Sequence, residues 1–106
     1  MKRIDIAPDD LKTVQAILNR YVPGKEVRAF GSRTSATAKK YSDLDIVVMG
    51  QEPLSLSVLA DLQMAFSESP LPFKVDLADF TTTSEKFRLI IEQQSVVLQK
   101  ENGAGP

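Results

Sequence analysis

Apolar residues recur at helical spacing in three stretches of this chain. The first begins at Pro8, with Asp9 and Asp10 in its opening turn, and ends before Pro23-Gly24. The second follows Ser55, a plausible cap, and the third follows Thr83 or Ser84. The positions that set the spacing are Leu11, Val14, Ile17, Leu18 and Tyr21, then Leu56, Leu59, Leu62 and Phe66, then Phe87, Ile90 and Ile91.

Shorter apolar runs between these stretches predict strands at residues 26–30, 44–49, 73–78 and 96–98. The 44–49 run is nearly continuous, which is typical of a central strand buried on both faces, whereas 96–98 fits an edge strand. Residues 32–41 predict a turn and a short helix. The order indicates an α/β or α+β layer protein, with helices packed on a small sheet. We expect one domain over residues 1–98 and a flexible C-terminal tail over 99–106.

Composition narrows the chemistry that is open to this domain. The 106 residues include no cysteine and no histidine, which excludes thiolate nucleophiles, imidazole bases and His- or Cys-ligated metals. Any catalysis must come from carboxylates, hydroxyls, lysines and arginines. The basic start lacks an apolar signal segment, and no run nears the ~20 residues that span a bilayer, so we predict a cytoplasmic protein without membrane contact.

The near-neutral net charge of −1 hides two segments of opposite sign. Residues 20–40 hold six bases and one acid, whereas residues 41–85 hold eight acids and one base, Lys74. Solvated surface is one explanation for such runs. A ligand with both an anionic part and bound cations, such as a metal-nucleotide, is the other.

Three aspartates lie within or beside the apolar strands. Asp43 and Asp45 are two apart at the start of a predicted strand, so their side chains share a face. Asp76 lies inside another strand, between Val75 and Leu77. Like charges so placed need a cation, and a carboxylate pair typically holds Mg²⁺ beside substrate phosphates. If the two strands are neighbours, the three carboxylates suffice for two metal ions ~3.5–4 Å apart, the arrangement used in phosphoryl transfer.

The stretch Gly31-Ser32-Arg33 complements these acids. It follows a predicted strand, and glycine lets backbone N–H groups approach a phosphate closely. The Ser32 hydroxyl and the Arg33 guanidinium add hydrogen bonds to that phosphate. By itself a Gly-Ser after a strand is usually only a turn. Together with the acids, in this order and on these elements, the stretch is hard to explain as an accident and indicates a phosphate contact.

The combined pattern resembles a known family. Gly31-Ser32, ten residues, then Asp43-Leu44-Asp45 is similar to the signature of the nucleotidyltransferase superfamily that includes DNA polymerase beta. The fuller strings 30–38 and 42–48 resemble its minimal nucleotidyltransferases, the MNT proteins, and Val75-Asp76-Leu77 resembles the strand with their third carboxylate. The resemblance spans residues 9–98. One departure is Ala36, where a loop glycine is common.

The resemblance implies a polymerase-beta-like palm, which is often paired with an all-helical HEPN toxin. It implies an antitoxin that transfers AMP from ATP to a tyrosine hydroxyl of that partner in a hetero-oligomer. Gly31, Ser32 and Arg33 would then hold the triphosphate, and Asp43, Asp45 and Asp76 would be catalytic ligands of two Mg²⁺ ions.

Two alternatives stay open at this point. One is a non-catalytic nucleotide-binding subunit that neutralises or complements its partner by forming a complex. The other is a nucleotidyltransferase acting on nucleic acid, which the pI of 5.4 and the absence of a nucleic-acid-binding module disfavour.

Overall fold

The computed structural model describes residues 4–34 and 43–101, apart from the side chain of Ser32. Most of the segment 32–41, for which a turn and a short helix are predicted, and residues 102–106 of the predicted tail lie outside the described residues. The helices are α1 (Pro8–Tyr21), α2 (Leu56–Ser67) and α3 (Glu85–Gln93). The strands are β1 (Val27–Phe30), β2 (Leu44–Val48), β3 (Val75–Asp79) and β4 (Val96–Gln99). Two 3-10 turns occupy Ser32–Thr34 and Phe80–Thr82.

The helices begin where their capping residues predict. Pro8 opens α1, with Asp9 and Asp10 in its first turn. The Ser55 and Ser84 hydroxyls each accept a hydrogen bond from the backbone N–H three residues later, at 3.1 and 3.2 Å. These bonds satisfy N–H groups that a helix start otherwise leaves unpaired.

The four strands form one mixed sheet in the order β3-β2-β1-β4. β1 is antiparallel to β2 and β4, whereas β2 is parallel to β3. β2 is therefore central and buried along most of its length, and β4 is an edge, as the sequence predicted. β4 ends at Gln99, one residue beyond the predicted domain boundary.

The main core lies between one face of the sheet and the pair α1 and α2. Alternate strand residues supply that face, among them Val27, Ala29, Leu44, Ile46 and Val48, while Leu18, Leu62 and Phe66 come from the helices. The other face carries the intervening positions and is covered in part by α3.

No helix among the described residues combines the length and the apolar character that crossing a bilayer requires.

β3 begins at Val75, two residues later than predicted. Phe73 is buried, with the Arg33 guanidinium 4.3 Å from the centre of its ring. The next residue, Lys74, accepts a backbone hydrogen bond from Leu44, which brings the start of β2 beside the start of β3. Phe73 is thus a core residue ahead of the strand rather than its first residue.

Candidate active site

Asp45 and Asp76 lie side by side in the sheet. They are direct register partners on the parallel strands β2 and β3. Because strand side chains alternate, and Leu44 and Ile46 enter the main core, both carboxylates project from the opposite face. The condition set by the sequence, that the two strands be neighbours, is confirmed. Asp76 also forms an exposed ion pair with Lys74, with Nζ and Oδ1 3.6 Å apart.

Negative charge accumulates at this point of the sheet. Burial raises the pKa of Asp45, and the neighbouring charges of Asp76 and Asp43 raise it further. Asp43 is exposed immediately before β2 and thus close enough for its charge to reach Asp45. A bound cation would relieve the repulsion among the three carboxylates. The sequence analysis predicts such a need for a cation.

The three carboxylates suit Mg²⁺ in kind but leave its coordination open. Their oxygens are the hard donors that Mg²⁺ prefers. Across residues 4–34 and 43–101, however, no three acidic side chains lie close enough together to surround an ion. Asp45 and Asp76 form a pair and Asp43 stands beside it. An open set of this kind suits an ion whose other ligands are substrate phosphates and water.

Gly31 brings the backbone against the Asp45 carboxylate. It follows β1, whose last residue, Phe30, is the register partner of Asp45. Gly31 has a φ of +84°, and a Cβ built there would collide with Oδ2 of Asp45. Only glycine satisfies both conditions without strain. The turn therefore lies against one member of the acidic pair.

The two residues after Gly31 differ in what the structure shows of them. Ser32 opens the 3-10 turn, but its hydroxyl lies outside the description. Arg33 is buried, and its guanidinium donates to the Asp5 carbonyl at 2.8 Å and stacks over Phe73. Asp5 N–H in turn donates to the Arg33 carbonyl at 2.6 Å. These contacts fasten the N-terminal segment, and the phosphate-binding role of Arg33 stays a prediction.

Two aromatic residues beside the acids were not assigned to the site from the sequence. Phe30 flanks Asp45 on the side opposite Asp76. The Phe87 ring meets the Phe30 ring edge-to-face, with centroids 5.9 Å apart and planes at 80°. The alternation in residues 26–30 was the available signal for Phe30, since it puts Phe30 and Arg28 on one face.

Comparison with known proteins gives two sequence-based matches. A family model described as "Polymerase beta, Nucleotidyltransferase" matches residues 12–103. The "probable protein adenylyltransferase MntA" of Haemophilus influenzae is 48% identical over 99 residues, covering 93% of this chain and 87% of that protein.

Solved structures share the fold. A toxin–antitoxin crystal structure with AMP-PNP matches with a TM-score of 0.72 at 24% identity, over 85% of this chain and 73% of that one. An MNT antitoxin in complex with a tri-AMPylated HEPN toxin of Shewanella oneidensis matches at 0.64 and 24%, over 85% and 69%. A minimal nucleotidyltransferase matches at 0.65 and 27%, over 83% and 88%.

Proposed function

Because this chain belongs to the polymerase beta nucleotidyltransferase family, we propose that it is an antitoxin that transfers AMP from ATP to a hydroxyl of a HEPN-type partner protein. The observation that carries the proposal is the Asp45–Asp76 pair, in register on adjacent strands with the Gly31 turn lying against Asp45. The adenylyltransferase name of the Haemophilus protein supports the reaction, and the toxin complexes of structurally similar chains support the partner.

Each residue of the site has a part in this reaction. Asp43, Asp45 and Asp76 would hold Mg²⁺, which neutralises phosphate charge and polarises the reacting oxygens. The turn at Gly31 would let the backbone approach the triphosphate closely, because glycine has no side chain in the way. The acceptor hydroxyl, which we assign to a tyrosine, attacks the α-phosphorus. The bond between the α-phosphorus and the oxygen that bridges to the β-phosphate breaks, and pyrophosphate leaves.

Asp76 is the residue placed to take the proton of the acceptor hydroxyl. Its side chain is 47% exposed, so a hydroxyl from another protein can reach it. Asp45 lies against Gly31 and would serve only as a metal ligand, whereas Asp76 would both complete the metal site and take the proton. The exposure of Asp76 is therefore the reason for assigning the proton transfer to this carboxylate.

The test is label transfer from α-labelled ATP, with Mg²⁺, to the HEPN-type protein encoded beside this chain. We expect transfer by the wild type and loss of at least about 100-fold with Asp43→Asn plus Asp45→Asn. Asp61→Asn plus Glu68→Gln removes the same charge from α2 and its C-terminal end and should leave transfer unchanged.

Two results would contradict the proposal. Transfer that survives loss of Asp43 and Asp45 would refute the site. Binding of both Mg-ATP and the partner without any transfer would favour the non-catalytic subunit instead.

A further inference from the structure

Exposed apolar side chains lie on α3 and on the strand that follows it, beside the face of the sheet that carries the acids. They are Phe87, Leu89 and Ile90 of α3 and Val97 of β4, which are 47%, 55%, 41% and 46% exposed. We call these four residues the α3 surface. Large exposed apolar areas on a protein surface mark interaction sites.

The way α3 is held explains why these side chains are left outside. Ile91 is the buried residue of the helix. Arg88 ties its first turns to the preceding loop, donating to the carbonyls of Phe80 at 3.0 Å and Thr81 at 2.7 Å. The helix is thus anchored without Leu89 or Ile90, so these two contribute little to the core.

The α3 surface adjoins the acidic pair at Phe87. Phe87 contacts Phe30, and Phe30 is the register partner of Asp45. Phe87 and Ile90 are three residues apart and therefore neighbours on the helix. Val97 pairs with Arg28, in the adjacent row of the same sheet face. An object lying on this surface therefore reaches the carboxylates at one end.

We propose that the α3 surface binds the acceptor protein and brings its hydroxyl to Asp76. This inference rests on the proposed function, because the occupant is the protein that accepts AMP. The occupant we assign is an apolar patch of that protein next to the acceptor hydroxyl. The exposed Lys86 and Glu92 of α3 supply charge of both signs around an apolar centre, as in protein interfaces.

The size and the position of the surface favour a protein over other occupants. Four large apolar side chains exceed what one nucleotide base can cover. Association with a second copy of this chain would not require the surface to lie beside Asp45. An acceptor protein, by contrast, must approach the carboxylates. A stable interface needs about 800 Å² from each partner, and the α3 surface supplies its apolar centre.

The experiment compares two double variants of the full chain. Leu89→Gln plus Ile90→Gln alters the α3 surface at two side chains that lie outside the fully buried core. Leu56→Gln plus Met64→Gln is the matched control on α2, where the two side chains are 85% and 62% exposed. Binding to the adjacent-gene HEPN-type protein is measured by calorimetry, together with Mg-ATP binding, label transfer and sedimentation of each chain alone.

We expect the α3 variant to bind the partner about 100-fold more weakly and to lose transfer in proportion, because central apolar contacts dominate interface energies. It should bind Mg-ATP like the wild type, which also shows that it is folded. The control should match the wild type in every assay.

Three outcomes overturn the inference: partner binding unchanged in the α3 variant, equal loss in both variants, or a change confined to the association of the chain with itself. If the wild type binds the partner through α3 but transfers no label, the docking surface stands and the proposed function fails. If transfer is unaffected by the α3 variant, the function stands and the docking surface fails.

Discussion

Gly31 is restricted to glycine by two independent constraints, its φ of +84° and the Asp45 carboxylate, which occupies the space that a Cβ would need. At the scale of a single residue, Gly31→Ala should therefore lower the free energy of unfolding by about 1–3 kcal/mol and displace Asp45. Transfer of AMP should fall with it.

The measurements are urea unfolding and label transfer. Gly50→Ala is the matched control, because its φ is not positive and the nearest atom to an added Cβ, the Glu52 carbonyl oxygen, is 3.8 Å away. A Gly31→Ala protein as stable and active as Gly50→Ala would show that Asp45 is not fixed by this turn.

Asp79 is a buried carboxylate whose role is structural. Its oxygens accept from Leu54 N–H at 2.7 Å, from Thr81 N–H at 2.9 Å and from the Thr81 hydroxyl at 2.8 Å. Burial alone would raise its pKa, but these hydrogen bonds and the positive charge of Lys25 together outweigh burial, and the pKa lies below its ordinary value. The ionised form therefore stabilises the fold above the unfolded pKa of about 4 and loses that contribution as the pH falls through the folded pKa.

Asp79→Asn should accordingly cost about 1–3 kcal/mol of unfolding free energy at pH 7 and less at pH 3. Urea unfolding at the two pH values measures this. Asp61→Asn, exposed on α2, should change stability by less than about 0.5 kcal/mol at either pH. A cost for Asp79→Asn that grows on acidification would reverse the sign and contradict the assignment.

Residue types and spacing were enough to single out Asp45, Asp76 and Gly31, because their chemistry conflicts with their apolar surroundings. Residue types and spacing were not enough to predict the contacts that Arg33 and Asp79 make. The guanidinium of Arg33 meets Asp5 and Phe73, and Asp79 meets Leu54, all far apart in the chain. Such pairings arise only when the tertiary structure forms, so spacing along the sequence carries no sign of them.

At the scale of the elements, α3 depends strongly on its cap. Ile91 is its buried residue and Ser84 accepts from Phe87 N–H. Ser84→Ala should lower the stability of α3 by about 0.5–2 kcal/mol. We expect faster amide hydrogen exchange across the first turns of this helix. Exchange in α2, which buries Leu62 and Phe66, should not change.

Hydrogen exchange followed by mass spectrometry resolves the two helices. Ser57→Ala, at an exposed position inside α2 that holds no cap, is the control. Uniform loss of protection in both helices of the Ser84→Ala protein would mean that α3 opens only with the whole domain.

The helices and strands themselves were predictable from apolar spacing and caps. The start of β3 was not, since Phe73 has the character of a strand residue but is used by Arg33 as a stacking surface. From the sequence, the adjacency of β2 and β3 could be stated only as a condition, and their parallel pairing was not predicted. This pairing brings Asp45 and Asp76 together. The register between β2 and β3 depends on the whole sheet and cannot be predicted from the sequence of either strand alone.

At the scale of the whole molecule, the acidic pair should couple ligand binding to stability. A ligand bound only by the folded chain adds about 2.7 kcal/mol at 100 times its Kd. Mg-ATP should therefore raise the Tm of the wild type by about 10 °C, and chelation of the metal should abolish most of the rise.

Asp45→Asn separates this coupling from folding. Without ligand its Tm should equal or exceed that of the wild type, because the substitution removes a carboxylate whose pKa is raised by burial and by its acidic neighbours. With Mg-ATP it should gain little. Differential scanning calorimetry with and without EDTA makes the measurement, and an equal gain in both proteins would place the metal elsewhere.

The attachment of β4 has a consequence for biosynthesis. Gln99 Nε2 donates to the carbonyls of Val22 and Lys25, both at 2.9 Å, across sequence separations of 77 and 74 residues. Contacts of such high order form slowly, because a long loop must close first. A ribosome must therefore translate past Gln99 before β1 gains its second neighbour. A chain interrupted earlier presents an unpaired strand edge, which invites aggregation or proteolysis.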